Sequence, residues 1–293
     1  MPTAIVAAID RSPAAAQAVR LLIGYQGEHA SLSVLLLNVQ PLPWGDLRLE
    51  AHLHLLEEAL QAEGHAQLEE ARLLLTRAGF AVETSVQLGM PSEQIIAAAA
   101  SRDAATIVVG TRGHGMLRGF ALGSVALRVV HGARSPVLLV QPDTWLPPGF
   151  GRSVRVLVAL DGSAQATRAV PALLAREPWL GRLEFELVHV RRAVGLRGRL
   201  APEEQAMLDQ WGSLEAEEAT RDARALLYAA GHPSRLHEPT GDAASEVVRL
   251  AEELRADFVV MGTRGLGALH HALIGSVALK VAIASPIAVM LVP

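Results

Sequence analysis

Short apolar runs rich in β-branched residues alternate along this chain with longer segments in which apolar residues recur every three or four positions. Ile5–Ile9, Val34–Val39, Val82–Leu88, Thr106–Val109 and Val137–Val140 read as strands. They are nearly continuous apolar runs, as strands covered on both faces should be. Between them the helical period predicts helices over Ala14–Tyr25, Glu50–Ala78, Ser92–Ser101 and Gly123–Gly132. The alternation then resumes, with helices predicted over Gln165–Ala175, Glu203–Ala230, Ala244–Leu254 and Gly275–Ala284. Strand–helix alternation of this kind implies a parallel sheet with right-handed crossovers. The expected class is α/β, with two tandem domains, each a five-stranded parallel sheet flanked by helices.

The two halves repeat one another residue by residue. Displacing the sequence by 151 or 152 positions lays Thr3–Ser12 over Val154–Ser163, Leu32–Gln40 over Leu183–Arg191 and Val86–Ile96 over His237–Val248. It also lays Ala105–Gly113 over Asp257–Gly265, and Ser135–Val140 pairs with the two-residue-longer Ser285–Val292, in unchanged order. Such self-similarity is the mark of a duplicated unit. The join, Gln141–Ser153, is rich in Pro and Gly and has no periodic apolar face. Domains are therefore expected at 1–143 and 151–293, with a linker at about 144–150.

Composition narrows the function classes. A length of 293 residues suits two domains, and a hydrophobic share of 51% is ample for their cores. No run of apolar residues is long enough for a membrane span. The opening "MPTAIVAAIDRS" lacks a basic leader region and reads as a first strand, not a signal peptide. The absence of cysteine excludes disulfides, thiolate metal sites and cysteine nucleophiles, and fits a cytoplasmic protein. A net charge of −4 with no basic stripe gives no footprint for nucleic acid. The glutamate and arginine runs of the two long helices read as solvated faces.

The chemistry lies in a stretch written twice. "GTRGHGMLRGFALGSVAL" spans Gly110–Leu127, and "GTRGLGALHHALIGSVAL" spans Gly262–Leu279. In each, a glycine ends the fourth strand, another follows, and a Gly-Ser pair opens a helix. Glycines in such a loop let several backbone N–H groups converge on one anion. The hydroxyl and N–H of Ser124 and Ser276 stand at the positive end of a helix, where phosphate binds well. Known phosphate motifs do not account for the pattern. A P-loop needs a Gly-Lys-Ser/Thr step, and the only lysine is Lys280. The dinucleotide fingerprint follows a first strand, not a fourth. The kinase set needs a lysine on its third strand.

The first strand of each half runs into Asp10 or Asp161, each followed two residues on by Ser12 or Ser163. In an open α/β sheet, ligands bind beyond the carboxyl ends of the strands at the switch point. If the first and fourth strands are neighbours, a carboxylate there faces the glycine loop and suits a ribose hydroxyl. Two readings stand: the aspartates meet a ligand, or they cap the following helix with Ser12 and Ser163 as alternatives.

With these residues in place, the chain resembles the universal stress protein family. The resemblance rests on G-x-x-G, nine residues and G-[ST], on a unit that opens V-A-[IL]-D-x-S and closes [SC]-P-V-x-[LV]-V. Both halves match over nearly their full length. The resemblance implies Rossmann-like domains with strand order 3-2-1-4-5 and ATP binding in members that keep the glycine pattern. Carried over, it places Asp10 and Asp161 near ribose or adenine, and the backbone of Val39 and Val190 at the adenine edge. It gives Gly110, Gly113, Gly123 and Ser124 to one nucleotide's ribose and phosphates, and Gly262, Gly265, Gly275 and Ser276 to the other's. Arg112 and Arg264 stand inside the loops, to meet phosphate or to pair with the fold.

The halves also differ. Twelve residues separate Ser124 from Pro136 but ten separate Ser276 from Pro286, which predicts a shorter last helix and a shifted final strand in the second half. Gly89-Met90-Pro91-Ser92 faces Gly241-Asp242-Ala243-Ala244, and Arg118-Gly119 becomes His270-His271. The first half is the closer match from its loop to its final strand.

His52, His54 and His65 do not share one helical face, and His270-His271 have no carboxylate near in sequence, so no metal site is assigned. No nucleophile–base constellation is legible, so no catalytic residue is assigned. Mg²⁺ would arrive with the phosphates of ATP. The expected function is that of an ATP-binding stress-response regulator with an unidentified protein partner. A slow ATP hydrolase or nucleotidyl-handling enzyme, and a tandem scaffold with one site lost, are the alternatives. The apolar final strands are expected to pair with each other as an intramolecular pseudo-dimer, or between chains as a homodimer.

Overall fold

The computed structural model describes residues 3–24, 32–42, 53–111, 122–146, 153–192, 201–265 and 274–293. The chain divides into two compact units. Unit 1 comprises Met1–Gly151 and Pro178–Gly181, and unit 2 comprises Arg152–Glu177 and Arg182–Pro293.

In unit 1 the strands are β1 (Thr3–Ala8), β2 (Leu32–Gln40), β3 (Ala81–Leu88), β4 (Thr106–Gly110) and β5 (Val137–Val140). They lie in the order β3-β2-β1-β4-β5, all parallel. The crossovers are α1 (Pro13–Gly24), α2 (Leu53–Arg77), α3 (Pro91–Ser101) and α4 (Ser124–Gly132). The apolar runs behave as their sequence demands: Ile5, Val6, Ala7, Ile107 and Val108 are fully buried. Burying a valine or isoleucine side chain contributes about 1.5–3 kcal/mol, which holds the central strands in the core.

Unit 2 holds β6 (Val154–Ala159), β7 (Leu183–Val188), β8 (Ser234–His237), β9 (Phe258–Gly262) and β10 (Ala288–Val292). Their parallel order is β8-β7-β6-β9-β10. The helices are α5 (Ala164–Thr167), α6 (Ala169–Leu174), α7 (Glu177–Leu180), α8 (Pro202–Ala229), α9 (Ala243–Glu253) and α10 (Ser276–Ala284).

Two expectations are corrected. The helix predicted over Gln165–Ala175 is broken into α5 and α6 at Arg168. Pro171 has no N–H to give to the Thr167 carbonyl, so the helical ladder cannot run through. The last helix of unit 2 is not shorter: α4 and α10 both have 9 residues. The difference falls in the connection, where the Ser285 hydroxyl accepts from Ile287 N and bonds Ile287 O in a tight turn before β10. The final strand is not shifted either. Val137 faces Ile107 as Val289 faces Val259, and Val140 faces Gly110 as Val292 faces Gly262.

The start of the join is folded onto unit 1. The Thr144 carbonyl accepts from the Gln17 side chain on α1, and the Thr144 hydroxyl accepts from Gln141 N. Thr144 is buried accordingly.

Candidate functional site

In each unit the crossovers diverge between the first and fourth strands, which pair directly: Ile5 faces Thr106 and Val156 faces Phe258. A crevice at the carboxyl ends of these strands is the topological consequence. Both units carry a cavity there.

In unit 1 the cavity has a volume of about 250 Å³, and Asp10, Val39, Gly110, Gly123 and Ser124 line it. Its apolar side comes from Leu37, Val109 and Ile95. In unit 2 the cavity is about 540 Å³, and Asp161, Val190, Gly262, Arg264, Gly265, Gly275 and Ser276 all line it. Twelve of the fourteen residues singled out from sequence thus converge on two cavities. Arg112 and Gly113 lie outside the described residues, as do Arg118-Gly119 and His270-His271.

The structure decides which side chain caps the helix after the first strand. The hydroxyl of Ser12 accepts from Ala15 N at 3.2 Å, and that of Ser163 accepts from Ala166 N at 3.1 Å. The serines are therefore the caps. Each aspartate instead accepts from the N–H of the serine, at 2.9 Å for Asp10 and 3.0 Å for Asp161. This local bond fixes the carboxylate at the cavity wall.

The helices whose first turns line the cavities start in two ways. The Asp242 side chain caps α9 and Ser163 caps α5, but α4 and α10 start at Gly123 and Gly275 with no side-chain cap. Gly123 N and Gly275 N each bond back to a strand-end threonine carbonyl, Thr111 and Thr263, at 2.8 Å. Residues Ser124–Ala126 and Ser276–Ala278 line the cavities with the first turn of each helix. An uncapped first turn leaves backbone donors open beside the positive end of the helix dipole. That arrangement receives an anion.

The glycines do several jobs. A Cβ on Gly110 would lie 2.8 Å from Ala14 Cβ, and one on Gly262 would lie 3.1 Å from backbone atoms of Gln165, Ala166 and Arg264. These two glycines admit α1 and α5, the helices after the first strand of each unit, against the end of the fourth. A Cβ on Gly265 would collide with the Asp161 carboxylate, so this glycine brings the loop backbone against the aspartate.

The turn after the third strand, singled out from sequence as a difference between the halves but given no site role, reaches the cavity through Pro91 in unit 1 and Gly241, Asp242 and Ala243 in unit 2. Asp242 accepts from the backbone N–H and then the hydroxyl of Ser245, which holds its carboxyl below the usual value, with Lys280 adding a smaller pull. His189, Arg192 and Glu215 also line the cavity of unit 2. Comparing the two halves position by position, Asn38 with His189 above all, would have drawn attention to them.

Fold and site together define a class: a tandem doubly wound α/β protein with a helix start free of a side-chain cap and a carboxylate at the switch point of each unit. The family model described as the universal stress protein family matches residues 1–141 and 154–293. The chain belongs to that family. It is 29% identical over 302 residues to the universal stress protein Rv2623 of Mycobacterium tuberculosis, covering 95% of this chain and 92% of the relative. It is 31% identical over 137 residues to universal stress protein MJ0531 of Methanocaldococcus jannaschii, covering 47% of this chain and 81% of the relative. The crystal structure of a universal stress protein from Archaeoglobus fulgidus superposes with a TM-score of 0.68 at 23% identity, covering 99% of this chain and 97% of that one. This last likeness speaks to the fold. No helix among the described residues is long and apolar enough to cross a membrane.

Proposed function

We propose that each unit binds ATP at its switch-point cavity and that the protein acts as a nucleotide-dependent regulator of a stress response. The observation that carries this reading is the pairing, in both cavities, of an anion-receiving helix start with a fixed carboxylate. The phosphates would take the open first turn of α4 or α10, with the hydroxyl of Ser124 or Ser276 and the glycine loop. Asp10 or Asp161 would take a ribose hydroxyl. The backbone of Val39 or Val190 would take the base. Arg264 lines the cavity of unit 2 and supplies a cation for the phosphates.

ATP occupancy would then set the state of the last helix–strand element, which a protein partner reads. Pairing of the two apolar final-strand segments belongs to the same proposal, on their sequence alone. Native mass spectrometry of the intact chain titrated with ATP tests the binding. Two nucleotides per chain are expected. One would mean that the units have diverged, and none at millimolar ATP would refute the reading.

A further inference from the structure

The cavity of unit 2 has a wall that the cavity of unit 1 lacks. His189 lines it and is only 7% exposed. Its Nδ1 lies 3.0 Å from the Leu160 carbonyl oxygen. A carbonyl can only accept, so in the neutral ring Nδ1 carries the proton and Nε2 is left as an acceptor. Among the described residues no hydrogen bond reaches that Nε2. Glu215 of α8 lines the same cavity, and no described residue pairs with its carboxylate.

At the matching positions unit 1 satisfies itself. Asn38 gives its amide to the Ile9 carbonyl at 2.8 Å and to Gln67 at 2.9 Å, and its oxygen accepts from Gln40 at 2.9 Å. On this strand the cavity of unit 1 is lined by Leu37 and Val39 instead. Glu63, the counterpart of Glu215, is held by an ion pair with Arg11 and accepts from Gln67. The counterpart of Arg11 is Gly162, whose φ of 84° suits glycine. The loop that supplies a cation to Glu63 supplies none to Glu215.

We infer that His189 makes unit 2 a reader of ribose hydroxyls, with Glu215 as a second acceptor, and that unit 1 has no equivalent. This rests on the nucleotide reading proposed above. The reasoning is one of donors and acceptors. A nucleotide placed with its ribose at Asp161 offers two adjacent hydroxyl donors, and unit 2 adds two side-chain acceptors on the wall of that cavity. An imidazole nitrogen that a bound ligand covers without offering it a donor is costly, so the site should disfavour a ligand that lacks one.

The test titrates ATP, 2′-deoxy-ATP and 3′-deoxy-ATP into the intact chain by calorimetry, in wild type, His189→Asn and Glu215→Gln. His189→Asn keeps a donor for the Leu160 carbonyl, as Asn38 has for Ile9, and Glu215→Gln changes an exposed side chain, so both should fold. In wild type, one site is expected to bind at least one deoxy analogue about tenfold or more weakly than ATP. His189→Asn should weaken ATP more than the deoxy analogues and so narrow that difference toward the one shown by the other site, and Glu215→Gln should narrow it less. A wild type whose sites all treat ATP and both analogues alike would overturn the inference and leave nucleotide binding standing, as would unchanged discrimination in His189→Asn. A wild type that binds no ATP would remove the nucleotide reading itself, and this inference with it.

Discussion

Replacing Gly110 by alanine separates two reasons for a glycine at the end of β4. If the glycine exists for the ligand, the variant folds normally and loses nucleotide. The geometry gives the other answer: a Cβ there lies 2.8 Å from Ala14 Cβ and 3.4 Å from the backbone of Ala14 and Ala15. Real contacts of this kind need several tenths of an ångström more, so α1 must be pushed off the sheet. Ala14 and Ala15 are fully buried or nearly so, and give the helix no room to yield. Overpacking of this sort costs about 1–3 kcal/mol. For a unit of about 150 residues each kilocalorie corresponds to about 2–4 °C, so the ligand-free melting temperature of unit 1 should fall by about 2–12 °C. The assay is differential scanning calorimetry without nucleotide, with Gly275→Ala as the contrast. At Gly275 the nearest atom to a Cβ is 3.4 Å away, an ordinary contact. That variant should melt within about 1 kcal/mol of wild type, the usual range for such a change at a helix start. A Gly110→Ala chain that melts like wild type would refute the packing argument.

Other outcomes follow from the same contacts. Ser163→Ala removes the cap of α5 and should cost about 0.5–2 kcal/mol, measurable by urea unfolding. Asp161→Asn keeps an oxygen for Ser163 N, so the unfolding midpoint should hold while ATP affinity falls, which calorimetry checks. The Asp242 carboxyl is held below 3.8 in the folded chain, so its contribution is present above that pH and is lost as pH falls through the lower folded value. Asp242→Ala should therefore destabilise unit 2 at pH 7, and the gap from wild type should close as the pH drops below 3.8, as thermal melts across pH would show.

The strands and the site frame were legible because each depended on local chemistry repeated twice. Continuous apolar runs mark buried parallel strands, and Gly-Ser before an apolar helix marks an open first turn. What escaped was set by partners distant in sequence. Whether Asp10 or Ser12 capped α1 could not be decided from D-R-S, because both offer an oxygen at workable spacing. Only the fold shows the serine taking the helix and the aspartate taking the serine. The break at Arg168 was readable from Pro171 and was missed because the apolar period runs through it. The length of the last helix was misjudged because the count to the next proline ignored the connection, where Ser285 makes a shorter turn do the same work. The difference at Asn38 and His189 was visible as a substitution, but its meaning depends on what Gln67, Gln40 and Leu160 offer around it.

The missing side-chain cap on α4 and α10 has a consequence for how occupancy would be felt. An anion seated at Ser124–Ala126 or Ser276–Ala278 would itself be the cap, completing a helix that the chain leaves unfinished. Its arrival would then be recorded as slower hydrogen–deuterium exchange along the amides of that first turn, before any larger rearrangement. The helix end would serve as the gauge, reading the ligand through its own fraying.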